Sequence, residues 1–343
     1  MASLYMAVSV STCEPYVSRA VKQDSTLAIY AEYVSDLCEG AVRSGDVERF
    51  SKLDEWLEWL KWSSVVLNHH DYLEVAVRTL RLAPYLRPTD YGTARQRDLG
   101  QLWTDAIRGH LGEIAFAKWI SEKFGIAIET GLSELGPLEE FLPSDVIKVN
   151  NRPPQLKVSI KTTKLRGVWL DIPYKQIDHS DIFILVRVGV AREHFIAFLK
   201  AISVIRDKIL ATALQQGIIS EKESEEIWNL LPDFKPIPAY IVGYFDKRLY
   251  IDYIQSEDVI EVDGIIGTRN ITVRKYLGYW HPEDNRVKES VLARLEQKYG
   301  TKISGYKIRF EGIGDFSKTK HFVVSSGFLK RTERDWRELL AQL

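Results

Sequence analysis

Apolar residues recur along this chain at two spacings, and the spacing changes with position. Across 51–62 they fall three and four apart (Leu53, Trp56, Leu57, Leu60), the stripe of an amphipathic helix. Helical structure is expected over 24–82. A long helix is expected over 98–124, where Leu99, Leu102, Trp103, Ala106, Ile107, Leu111, Ile114 and Ala117 form a broad apolar face. Gly109 and Gly112 interrupt it. Each glycine costs about 1 kcal/mol against Ala in a helix interior, which points to close packing there. From 145 onward β-rich runs take over. Residues 145–149 and 155–161 flank Asn150-Asn151-Arg152-Pro153-Pro154, a pattern that predicts a β-hairpin centred on Arg152. Strands are expected at 168–172, 181–188 and 195–198, and a second hairpin at 239–245 and 248–254. Residues 201–231 read as helical, with Ser220 and Glu223 as a capping box. Two more helices are expected at 284–299 and 332–342.

Pro84, Pro88 and Gly92 mark a loop that divides the chain. The expected organisation is a helical N-terminal region (1–95), a core (96–255) with a helical insertion (201–234), and a mixed C-terminal region (256–343) suited to recognition or dimerisation. The fold class expected is α/β (α+β), a central mixed sheet flanked by helices.

At 343 residues, 45% apolar and 27% charged, the chain has the composition of a globular protein with a sizeable core. It has no apolar run of about 18 residues, so no membrane span is expected. Cys13 and Cys38 are the two cysteines, too few for a disulfide framework or a cysteine zinc cluster, and a cytoplasmic location is expected. The net charge of −1 argues against a nonspecific nucleic-acid coat protein. Local clusters change that picture. Residues 145–169 hold six basic side chains against Asp145, and 316–337 hold six against two acids. Such clusters can neutralise phosphates, or can simply be solvated surface. The tryptophans at 56, 59 and 62 read as a packed stripe, and His69-His70 as structural.

In the expected hairpin Asp145 faces Ser159, and Lys161 lies two residues on along the same strand face. An acidic metal ligand beside a lysine suits phosphodiester cleavage. The bland alternative is an ion pair at a sheet edge, worth under about 1 kcal/mol.

The order Pro143-Ser144-Asp145, then Ser159-Ile160-Lys161, resembles the PD-(D/E)XK nucleases, and among them the type II restriction endonucleases. Gly109-His110-Leu111-Gly112-Glu113-Ile114-Ala115-Phe116 looks like the helix that precedes the hairpin in many of these enzymes. Thr162-Thr163-Lys164, Gly167-Val168-Trp169-Leu170 and the strand at 181–186 extend the likeness over about 100–255. One position departs: Ser159 stands where the family has an acid. The resemblance implies a restriction-endonuclease-like core and a Mg²⁺-dependent endonuclease acting on double-stranded DNA. Asp145, Glu113 and the backbone carbonyl of Ile160 would be the metal ligands. Ser159 would orient a water, and Lys161 would stabilise developing charge. Arg152, Thr163, Lys164 and Arg166 are the expected DNA contacts. A homodimer is expected, with the helix carrying Trp56, Trp59 and Trp62 as one candidate interface. Two alternatives stay open: a DNA-repair or structure-selective nuclease on the same core, and a DNA-binding protein whose motif has decayed at Ser159.

Overall fold

The computed structural model describes residues 18, 21, 22, 53–81, 99–131 and 144–343, apart from 314, 315 and 317. Pro143 and the loop at 83–95 lie outside the described residues. Helix α1 (Leu53–Ser63) runs into strand β1 (Ser64–Leu67), which the helical expectation for this stretch did not include. Asn68 caps α2 (His69–Thr79) in a reciprocal arrangement with Asp71. The long helix is α3 (Leu99–Phe124). Then come β2 (Ile128–Thr130), β3 (Val146–Val149), β4 (Val158–Lys164), β5 (Trp169–Pro173), a 3-10 turn (Tyr174–His179) and β6 (Ile182–Val188). A helical arm follows: α4 (His194–Ala201), a π-turn (Ile205–Leu210), α5 (Ala211–Gln215) and α6 (Glu221–Leu230). The chain ends with β7 (Ile237–Asp246), α7 (Ile251–Ser256), β8 (Val259–Ile266), β9 (Asn270–Trp280), α8 (Asn285–Tyr299), β10 (Lys307–Phe310), β11 (His321–Ser325) and α9 (Glu333–Leu340).

The fold is mixed α and β, with two larger sheets among the described residues. The first has the order β1-β7-β6-β4; β4 lies parallel to β6, and the other pairs are antiparallel. The second has the order β10-β9-β11-β5, with β8 also on β9. β4 and β5 are each an edge strand and are consecutive in the chain. Every residue of β6 is buried, as its apolar composition on both faces requires. One face packs on α3 through Ile184 and Val186, with Ile107, Leu111, Phe116 and Trp119. The other packs on the second sheet through Phe183 and Leu185, with Leu170, Ile172 and Phe322. α8 covers the outer face of the second sheet with Val287, Val291 and Leu295.

Three local expectations are corrected. The run 145–161 is not a paired hairpin. Asn150 and Asn151 adopt φ of 49° and 64°, and Val149 and Arg152 exchange backbone hydrogen bonds of 2.8 and 3.0 Å. That is the twist of a two-residue hairpin turn, centred on the asparagines rather than on Arg152. Pro153 and Pro154 supply no N–H, so pairing stops there. β3 pairs instead with β2, and β4 joins β6. Residues 195–198 belong to α4, and 248–254 are helical turns rather than a hairpin arm. The capping box at Ser220 and Glu223 is present. Trp59 packs edge-on to Tyr240 and Trp62 edge-on to Trp119, each half-buried. The side chain of Trp56 lies outside the described residues. No helix among the described residues is long and apolar enough to cross a membrane.

Candidate active site

Asp145 is held at the free edge of β4 from both of its ends. Its backbone N–H donates to Val158 O at 2.7 Å, and its Oδ2 accepts from the backbone N–H of Ile160 at 2.5 Å. Ser144 Oγ accepts from Val158 N at 3.0 Å and fixes the same join. Asp145 therefore brackets Ser159, as expected, although no hairpin ladder brings it there. In a strand the N–H and C=O of one residue point to the same neighbour. The N–H of Ile160 points out of the sheet to Asp145, so its carbonyl points out on the same edge. This is the orientation a backbone metal ligand requires.

Glu113 arrives from α3. Its position depends on how closely the helix approaches β4. A Cβ on Gly112 would lie 1.9 Å from Thr162 Oγ1, so only glycine fits there. Thr162 Oγ1 donates to Gly109 O at 2.6 Å, which ties the strand to the helix one turn earlier. A Cβ on Gly109 would meet nothing within 4 Å, so that glycine is not needed for space. Glu113 is 6% exposed, and His110 Nδ1 lies 2.5 Å from its Oε1. The two residues are three apart and share a helix face.

Lys161 approaches from the opposite face. Side chains alternate along β4. Val158 and Ile160 belong to the core shared with α3, so Lys161 projects away from that core. Its Nζ donates to Gln176 Oε1 at 2.7 Å. The carboxylate of Asp145, at the edge, stands between the two faces.

Burial and neighbouring charge shift three of these groups from their ordinary values. Burial pushes the Glu113 carboxyl above its ordinary range, and the Asp145 charge adds to the rise; His110 and Thr130 hydrogen-bond to it and pull the other way. Burial alone would lower His110. The hydrogen bond and charge of Glu113, then the charge of Asp145, outweigh it and hold the imidazole above its usual value. Desolvation lowers the Lys161 ammonium below the ordinary lysine value, against the pull of Asp145, Asp171 and Glu113. Asp171, on β5, lies with its Oδ1 2.6 Å from His321 Nδ1.

The residues expected to contact DNA surround this edge unevenly. Lys164 and Arg166 are exposed at the end of β4 and in the following turn, closed by Gly167 N donating to Lys164 O at 2.8 Å. Thr163 is half-buried; a Cβ on Gly167 would meet its Oγ1 at 2.2 Å. Arg152 is exposed at the far tip of the asparagine turn. The basic cluster at 316–337 is largely paired within the fold. Lys318 meets Glu283, Lys320 meets Glu257, Arg334 meets Glu338, and Arg337 meets Glu333. Solvated, internally paired surface is the reading that fits it.

Reasoning from sequence missed His110 and Gln176. His110 carried a signal, its spacing of three from Glu113 within one helix. Gln176 carried none, because tertiary packing of the second sheet brings it in.

The class that fold and site define is a mixed α+β protein with a carboxylate pair and a lysine at a sheet edge. No family model, curated protein or solved structure matches this chain. Among the described residues, no group of three or more His, Cys, Asp or Glu side chains is gathered closely enough to hold a metal ion by itself. Two carboxylates and an outward backbone carbonyl are an all-oxygen set, and Mg²⁺ accepts few protein ligands while retaining several waters. A buried carboxylate whose pKa is raised partly by a second carboxylate also gains from a divalent cation. The oxygen donors here are of the kind Mg²⁺ takes.

Proposed function

We propose that this chain is a Mg²⁺-dependent endonuclease of the PD-(D/E)XK type, built on a restriction-endonuclease-like core and hydrolysing double-stranded DNA. Asp145, hydrogen-bonded to Ile160 N at the free edge of β4, with Lys161 on the same strand and Glu113 on the helix that packs against it, is what supports this reading. Asp145, Glu113 and the Ile160 carbonyl are the groups to hold Mg²⁺, which when bound activates water and neutralises charge on the phosphate. The ammonium of Lys161 stabilises negative charge that develops on the scissile phosphate. Its lowered pKa also suits it to exchange a proton with the attacking water. His110 fixes the Glu113 carboxylate, and Ser159 orients a water where the family has an acid. Thr163, Lys164 and Arg166 lie along the path of the backbone next to the cut, and Arg152 lies further out.

A sequence-specific restriction enzyme working as a two-fold dimer is the specific form proposed, because the symmetry of such sites mirrors that of the protein. A second reading, a DNA-binding protein that has lost catalysis, is favoured by Ser159 and by the lack of a three-ligand cluster among the described residues. Incubation with plasmid DNA, with and without Mg²⁺, separates them. Discrete fragments that require Mg²⁺, abolished in Asp145→Asn and Lys161→Ala while DNA binding persists, are the expected outcome. A smear means a nonspecific nuclease. Binding without cutting by the wild-type chain means the second reading.

A further inference from the structure

Lys161 has a support of its own, drawn from the 3-10 turn after β5. Resting on the reading of Lys161 as the catalytic lysine, we infer that Gln176 is its positioning residue and that the turn carrying Gln176 is anchored to hold it there.

A lysine side chain carries about 2 kcal/mol of rotamer entropy, and on an edge strand it sweeps a wide arc unless something holds its end. Productive geometry requires the ammonium to be placed before the phosphate arrives. Gln176 does this directly: its Oε1 accepts from Lys161 Nζ at 2.7 Å. Gln176 is itself exposed, but the 3-10 turn that carries it is anchored on three sides. Ile177, 1% exposed, is driven into the core between the sheets. Its carbonyl accepts from Lys247 Nζ at 2.9 Å. Tyr174 N donates to Lys320 O at 3.0 Å.

Asp171, on β5, belongs to a different arrangement. It shares a strand face with Trp169, opposite to Leu170 and Ile172, which pack toward the first sheet. In the β5–β11 register it pairs with Val323, so His321 is its diagonal neighbour, and their contact of 2.6 Å is that pair. The side chain that touches the Lys161 ammonium is therefore Gln176.

The test reads Lys161 itself. Acetic anhydride labelling of the full chain, followed peptide by peptide by mass spectrometry and normalised to the other lysines, reports how firmly the amine is engaged. Gln176→Ala is expected to speed labelling of Lys161 at least about tenfold, the scale of one lost hydrogen bond to a charged group. Gln176→Glu retains an acceptor oxygen and is expected to leave labelling as slow as in the wild type or slower. Asp171→Asn, which alters a side chain without a hydrogen bond to Lys161, serves as the control and is expected to leave labelling unchanged. A purely structural role for Gln176 would move Ala and Glu variants together. In single-turnover cleavage, Gln176→Ala is expected to lower the rate at saturating DNA about tenfold with DNA affinity unchanged. Unchanged labelling in Gln176→Ala overturns the inference. Failure of the nuclease reading shows up differently: no cutting by the wild type, or cutting that survives Asp145→Asn, whatever the labelling.

Discussion

Glu113 and Glu257 are both glutamates with two hydrogen-bonding neighbours, yet the fold treats them in opposite ways. Glu257, at the end of α7, accepts from Tyr174 Oη at 2.7 Å and pairs with the ammonium of Lys320. Lys320 in turn lies over the rings of Tyr174 and Tyr279, at 4.6 and 4.8 Å from their centroids. The Lys320 hydrogen bond, then that of Tyr174, holds the Glu257 carboxyl below its ordinary value. The charges there close on themselves. Glu113 is buried against an imidazole and in the field of a second carboxylate, and its pKa goes up. A closed cluster stabilises the fold. An open one costs stability and is retained for what it can bind.

The largest expected effect follows from that difference. Glu113→Gln should lower Mg²⁺-dependent cleavage about a hundredfold, the scale of a damaged metal shell, and should raise the melting temperature, because a buried charge is removed. Glu257→Gln should leave cutting unchanged. Equal loss of activity in the two variants would break the contrast.

Next is the approach of α3 to β4. Gly112→Ala should destabilise the protein by about 2 kcal/mol in urea unfolding, since Thr162 must give way. Gly109→Ala, with open space around it, should gain up to about 1 kcal/mol from helix propensity. Similar effects at the two positions would mean that the close approach is not real.

Metal affinity should depend on pH in one direction. Glu113 and His110 both hold protons more tightly than usual; a protonated carboxyl is neutral and a poor ligand, and an imidazolium repels the ion. Mg²⁺ binding measured by calorimetry should therefore strengthen about tenfold as pH rises from 6 to 8. A flat profile would remove Glu113 from the shell. The smallest effect is at Glu257. A carboxyl with a depressed folded-state pKa contributes stability above its ordinary value of 4.5, and that contribution is lost as pH falls through the folded value. Glu257→Gln should thus cost under about 1 kcal/mol at neutral pH and less in acid.

Much of the local structure was legible in the sequence. The apolar content of 182–188 marks a strand covered on both faces, and Ser220 with Glu223 marks a helix start. Partner choice was not legible. Two prolines after the asparagine turn redirect β4 to β6, and the three residues of β2 are too short a signal to announce a partner for β3. The run at 195–198 looks like a strand but is helical. His194 fixes the start of that helix, its Nδ1 accepting from Ala191 N at 2.8 Å while Nε2 faces Lys235 O at 3.1 Å. In the site, Glu113, Asp145 and Lys161 are visible as motif positions. Gln176 depends on how two sheets stack, which no spacing along the chain encodes.

The bond from Ile160 N–H to the Asp145 carboxylate has a consequence for solubility. A bare sheet margin is a template on which another molecule's strand can add, and proteins blunt such margins with charge. Asp145 occupies the donor that an incoming strand would need and puts a negative charge in its way. Replacing it by alanine would then invite self-association along β4, whereas asparagine keeps an acceptor in place. The side chain proposed to serve the reaction thus also blocks strand addition along β4.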